Sequence, residues 1–237
     1  MMKKPIGQKN YGSIPHLPNS RMGSGDHHCH DGQDKIATIK TRDKNDEIIV
    51  SEKLDGSNVG IARIDDRIFA VSRSGYSADT SPYEQHLVFY KWVMRQQDRW
   101  LSILNNGERL VGEWLYQAHS TRYDLKHEPF VVFDLMIGQE RLPYDEFLKR
   151  VNGLVVPHLI HRGQAISVKE VMEKLGDYGF HGAIDKVEGA VWRIERKTKN
   201  GIKVDFLCKY VRPEKKDGIY LPEQSGKEAI YNLLTAV

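Results

Sequence analysis

The chain reads as an α+β fold dominated by antiparallel strands, with helices packed outside the sheets. Three observations predict this. Turn signals punctuate short apolar-polar runs: Asp65-Asp66 separates 58–64 from 68–72, and Lys199-Asn200-Gly201 separates 190–195 from 204–211. Both are hairpin signatures. Apolar residues at helical spacing, Leu87, Val88, Trp92, Trp100, Leu101 and Leu104, gather in one block instead of alternating with each strand. The 237 residues hold 40% hydrophobic and 28% charged side chains, which suits one large globular domain or one with a small appendage.

The elements follow in order. Residues 1–47, rich in Gly, Pro, His and Asp, read as an irregular N-terminal arm, and 48–237 as the folded domain. Within it, strands are expected at 48–53, 58–64 and 68–72, then a helix over 81–104 closed by Asn105-Asn106-Gly107. Strands follow at 109–114 and 130–136. Helices are expected at 144–151 and 167–175, the second with Ser167 as N-cap, then strands at 190–195 and 204–211. A last helix is expected at 227–234, and there is no internal repeat.

Composition narrows the function classes. A net charge of +3 announces no strong basic field. Local clusters remain: Arg193, Arg196, Lys197 and Lys199, then Lys203, Lys209, Arg212, Lys215 and Lys216. These suit either a nucleic-acid contact or the solvated edge of a sheet. Two cysteines, Cys29 and Cys208, fit a reducing compartment. No apolar run reaches the roughly 18 residues of a membrane span, and Met1-Met2-Lys3-Lys4-Pro5 has no apolar stretch behind its charges. A cytoplasmic protein away from membranes is expected.

The segment Ser51-Glu52-Lys53-Leu54-Asp55-Gly56-Ser57-Asn58 carries the chemistry. It delivers one lysine from the end of a strand, between two carboxylates, into a glycine turn. Such an amine can attack phosphorus once desolvation or a neighbouring cation favours its neutral form. The plainer reading is a salt-bridged lysine in an ordinary turn. Five further blocks weigh against it: Ser72-Arg73-Ser74-Gly75, Gly112-Glu113-Trp114, the strand Phe130-Val131-Val132-Phe133-Asp134, Glu188-Gly189-Ala190-Val191, and Lys209 in the last strand.

In that order the six blocks resemble motifs I, Ia, III, IIIa, IV and V of the covalent nucleotidyltransferases, the superfamily of ATP-dependent ligases and RNA-capping enzymes. Asn58 at the end of the first motif and Glu52 before the lysine are similar to the RNA ligase 2-like branch. The resemblance implies an antiparallel-sheet adenylyltransferase domain of the ATP-grasp-like ligase type. It implies ATP as AMP donor, Mg²⁺ or Mn²⁺, and a nucleic-acid substrate with 5′-phosphate and 3′-hydroxyl ends, RNA favoured. Lys53 would be adenylated, Lys209 would bind the α-phosphate, and Arg73 the ribose or 5′-phosphate. Glu113 would hold a ribose hydroxyl and Phe133 the adenine face, with Phe130 as the other candidate. Glu52 would read the adenine amino group, Asn58 would complete the ATP site, and Glu188 would hold the metal. The alternatives are a ligase for DNA or mixed-duplex nicks, and a degenerate fold that only binds nucleic acid.

Two departures from the branch stand out. It carries two lysines on alternate residues of motif V, whereas Leu207 and Val211 flank Lys209 here; Lys203 and Arg212 are the candidates to replace the second. After Lys209 the chain has 28 residues, too few for an OB-fold domain, so no OB-fold domain is expected. Strand binding would fall to surface loops, the arm or an accessory protein. The arm also holds Gly25-Asp26-His27-His28-Cys29-His30-Asp31. A contiguous cluster wraps a tetrahedral ion poorly, so a polar loop or a nucleic-acid contact is the better reading.

Overall fold

The computed structural model describes residues 4–30 and 32–234. It divides into two compact units, one of residues up to 12, 56–117 and 128–156, the other of 13–55, 118–127 and 157 onward. Strands and helices are numbered in chain order.

The second of these units is built on a four-stranded antiparallel sheet of order β10-β9-β1-β8: β1 (Asp46–Lys53), β8 (Leu159–Gly163), β9 (Gly189–Thr198) and β10 (Gly201–Val211). The predicted β9–β10 hairpin is present, turning at Lys199-Asn200. Ile48, Val50, Trp192, Ile194 and Cys208 alternate onto one face and meet Ile166 and Val171 in a single buried cluster. Full burial of side chains this size contributes roughly 1.5–3 kcal/mol each. Helix α5 (Val168–Leu175) supplies Val171 and begins at the expected cap: Ser167 and Glu170 form a reciprocal capping box, which satisfies two otherwise orphaned backbone donors. The edge strand β8 escaped the sequence reading. Its Leu-Ile-His-Arg-Gly text lacks the apolar alternation of a central strand, and an edge tolerates this.

The segment 13–47 is more ordered than an irregular arm. It contains α1 (Gln33–Thr38), and it lies along β10 through the bridge of His16 to Lys209 and the hydrogen bond of the Arg21 N–H to the Val211 carbonyl, while a second bridge of His16, to His28, folds the segment on itself. The expected helix at 227–234 is replaced by a four-residue α6 (Pro222–Ser225) and a short strand β11 (Leu233–Leu234), which pairs in parallel with β5 (Asp124–Leu125). Pro222 opens α6 and Gly226, at φ 67°, closes it. Asn232 Oδ1 then accepts the Tyr123 N–H at 2.8 Å, tying the tail down in extended form.

The other unit holds a five-stranded antiparallel sheet of order β3-β2-β4-β6-β7: β2 (Ser57–Ile64), β3 (Arg67–Ser72), β4 (Glu108–Trp114), β6 (Phe130–Ile137) and β7 (Glu140–Arg141). The two-residue turn between β2 and β3 is the predicted one, with Asp65 at φ 53°. A 3-10 turn at Ala78–Thr80 leads into α2 (Glu84–Met94) and α3 (Gln97–Ile103), and α4 (Tyr144–Arg150) follows β7. The single helix expected over 81–104 is thus broken at Arg95-Gln96. Residues eight apart in a continuous helix are separated by about 12 Å, yet the Trp92 and Trp100 rings lie 5.3 Å apart. The break lets both join Phe89, Trp114 and Phe130 in one aromatic cluster. Among the described residues no helix is long and apolar enough to cross a membrane.

Candidate active site

Register brings three of the sequence blocks to one end of the four-stranded sheet. Lys53, the last residue of β1, stands opposite Gly189, and Val191, two residues further on, stands opposite Lys209. Glu188 therefore arrives beside Lys53, and the Lys53 Nζ donates to Glu188 Oε2 at 2.6 Å. Burial raises the Glu188 carboxyl above its ordinary range; Lys53 opposes this and nearby Asp55 adds to it. The Lys53 side chain remains 22% exposed.

Glu52 points the other way along β1 and is 2% exposed. Its Oε2 accepts the Phe180 N–H at 3.0 Å, while Oε1 is buried and has no hydrogen-bond partner among the described residues. Burial pushes its pKa up to about 7, against that single N–H. Gly179 makes the close approach possible: at φ 56°, its Cβ would stand 2.1 Å from Glu52 Oε1. The Phe180 ring beside it stacks on His158 with centroids 3.6 Å apart.

Lys209 Nζ lies 3.6 Å from Asp26 Oδ1, and Asp26 Oδ2 lies 3.1 Å from His16 Nε2. His16 is buried, and burial together with Lys209 lowers its pKa to about 4, against the pull of Asp26. The sequence marked Asp26 only as a member of the 25–31 polar cluster and gave His16 no sharper signal, because it is the bridge of His16 to Lys209 that brings them to β10. Cys29, from the same cluster of polar residues, packs against the apolar core; Asp31 lies outside the described residues.

The turn after Lys53 is gripped three ways. The Asp55 N–H donates to Tyr123 Oη at 3.1 Å, the Ser120 N–H donates to Asp55 Oδ2 at 2.9 Å, and Lys215 Nζ stands 3.3 Å from the same oxygen. The sequence marked Asp55 only as a carboxylate beside Lys53 and Lys215 only as one of a cluster of cations, and it gave Tyr123 no part.

The remaining predicted residues belong to the five-stranded unit. Asn58 and Glu113 are register partners on β2 and β4. Glu113 Oε1 accepts the Gly56 N–H at 3.0 Å, and Asn58 Oδ1 is buried with no partner among the described residues. Gly56 must be glycine: its Cβ would meet the Trp114 carbonyl oxygen at 2.6 Å. Arg73 is exposed and its carbonyl accepts the N–H groups of Asn10 and Tyr11. Phe133 is half-buried, edge-on to Tyr11 at 5.1 Å, whereas Phe130 is buried in the aromatic cluster. Of the two, Phe133 keeps surface for a ligand.

The donor sets fit the groups that the motifs imply. Glu52 Oε1 is a buried acceptor without a donor, which an exocyclic amino group would satisfy. Among the described residues no three His, Cys, Asp or Glu side chains form a metal cage. Mg²⁺ commonly keeps its waters and takes one or two carboxylates plus substrate phosphates, a demand that Glu188 meets.

Residues 46–211 match the family model described as RNA ligase. The chain belongs to the RNA ligase family. Among solved structures it resembles the Naegleria gruberi RNA ligase. A mutant solved with ATP and Mn is 18% identical with a TM-score of 0.52, over 88% of this chain and 61% of that one. An apo mutant gives 18% and 0.50, over 78% and 53%. The form with PPi gives 19% and 0.49 over the same shares. The RNA ligase fold is thus shared, and the chain spans about half the length of the solved relatives it matches. No curated protein matches the chain.

Proposed function

We propose that the protein is an ATP-dependent RNA ligase working through a lysyl-AMP intermediate on Lys53. The observation that carries this is the placement of Lys53, Glu188 and Lys209 at one end of one sheet, with Lys53 and Glu188 in contact at 2.6 Å. In the first step the Lys53 amine attacks the α-phosphorus of ATP and pyrophosphate leaves. AMP then passes to the 5′-phosphate of a strand, and a 3′-hydroxyl displaces AMP to form the phosphodiester. Each step is phosphoryl or nucleotidyl transfer, in which a protein chiefly positions groups and offsets charge.

The side chains divide that work. Lys209 offers a compact cation to the α-phosphate. Glu188 would hold Mg²⁺ or Mn²⁺, and a bound divalent ion supplies charge neutralisation at the phosphates. Glu52 Oε1 accepts from the adenine amino group, which would favour ATP over GTP. Phe133 offers a ring face to the base, Glu113 an acceptor to a ribose hydroxyl, and Arg73 a fork of donors to ribose or 5′-phosphate. Asn58 completes the nucleotide contacts. Residues 48–237 form the adenylyltransferase domain in this reading, and strand binding draws on 1–47 or an accessory protein.

A panel of 5′-phosphorylated substrates tests the strand: nicked RNA duplex, nicked DNA duplex, mixed duplexes and single strands, each with ATP and Mg²⁺. The reading predicts sealing of RNA 3′-hydroxyl ends ahead of DNA ends. Sealing confined to DNA nicks would replace it with a DNA ligase.

A further inference from the structure

Strand β10 carries one lysine where motif V of the resembled branch carries two, and three nearby cations compete to answer for the second. Lys203 stands opposite Arg196 on β10, six residues from Lys209 and so about 20 Å away along an extended strand. Arg212 donates Nε–H to the Val187 carbonyl at 3.1 Å and Nη2–H to the Gly176 carbonyl; its guanidinium is a tie across the 176–187 loop. Lys215 is different. Its side chain is 7% exposed, and Nζ meets Thr121 Oγ1, the Lys186 carbonyl at 3.2 Å and Asp55 Oδ2 at 3.3 Å.

Of an ammonium's three donors, Lys215 gives two to Thr121 and the Lys186 carbonyl, and its charge is paired with Asp55 at 3.3 Å. Its partners all lie within the protein. What it does reach is Asp55, two residues from Lys53, which the Ser120 N–H holds from a second side. A buried ion pair gains little over apolar packing, so stability alone is a weak reason to bury a lysine here. Lys215 also lies outside the 46–211 stretch that matches the RNA ligase family.

We infer that Lys215 is a positioning residue for the nucleophile: it pins Asp55, and through it the Lys53-Leu54-Asp55 segment that aims the amine. The missing motif V lysine is then answered by a strut, not by a second phosphate contact. The inference rests on the lysyl-adenylate reading, and the experiment separates the two. Single-turnover lysyl-adenylate formation is measured across ATP concentrations for the full chain, Lys215→Met, Lys215→Arg and Thr121→Val, alongside thermal melting.

Adduct in the wild type upholds the underlying reading; its absence overturns that reading and this inference with it. Given adduct, Lys215→Met is expected to slow formation at saturating ATP roughly ten- to a hundredfold. Its half-saturating ATP concentration should stay within about twofold, the mark of a lost orientation and not of lost binding. Lys215→Arg should recover most of the rate, and Thr121→Val, which removes one of its hydrogen-bond acceptors, should fall between. If Lys215→Met does not fold, the other two variants carry the test. Wild-type rates in a folded Lys215→Met, or in both other variants, overturn the inference. So does a loss confined to ATP binding, which would make Lys215 a nucleotide contact.

Discussion

Lys53 Nζ and Glu188 Oε2 lie 2.6 Å apart at the junction of β1 and β9, and each is the other's charge partner at the sheet end. A neighbouring carboxylate favours the charged form of an amine, and attack on phosphorus needs the neutral form, so the lysyl-adenylate reading requires this contact to loosen when ATP binds. Glu188→Gln removes the carboxylate both as partner of Lys53 and as proposed metal ligand. It is expected to slow adduct formation roughly a hundredfold, with no recovery on raising Mg²⁺. Wild-type rates in a gel assay of labelled enzyme would remove Glu188 from the chemistry.

Lys209 is expected to act at the α-phosphate. Lys209→Ala should reduce the single-turnover rate by roughly a hundredfold or more, and a chelator should stop the wild-type reaction altogether. Lys209→Arg should restore less than its charge suggests, because the wider fork must fit the place of an amine 3.6 Å from Asp26. Rates equal to wild type in Lys209→Ala would place the phosphate contact elsewhere.

Glu52 makes stability depend on pH. Its folded pKa, about 7, stands above the ordinary 4.5 because of burial. Between those values the folded chain binds the proton that the unfolded chain releases. The contribution is therefore complete below pH 4.5 and is lost as pH rises through 7. Glu52→Gln should flatten this part of the profile and raise the melting temperature at pH 8, as read by calorimetry at several pH values. It should also weaken discrimination between ATP and GTP in adduct formation, because an amide can turn either a donor or an acceptor to the base.

Much of this was legible in the chain because it is local. The Asp65-Asp66 and Lys199-Asn200 hairpins are present, as is the Ser167 cap, since turn residues and caps act within a few positions. Lys53 and Glu188 were named as members of ordered blocks, and strand register did bring them together. What the sequence hid depends on distant partners. The break at Arg95-Gln96 answers to an aromatic cluster that includes Trp114 and Phe130, and the extended tail answers to the Tyr123–Asn232 bond. His16, Asp26 and Lys215 sit in polar text with no periodicity, and they gain meaning only from the strands they lie against.

The lysyl-adenylate mechanism turns on one covalent bond. The full chain is incubated with α-labelled ATP and Mg²⁺, digested, and the labelled peptide sequenced by mass spectrometry. One acid-labile AMP adduct is expected on Lys53, absent in Lys53→Ala and discharged by pyrophosphate. Label on another residue, or none in a folded and metal-replete enzyme, would contradict it.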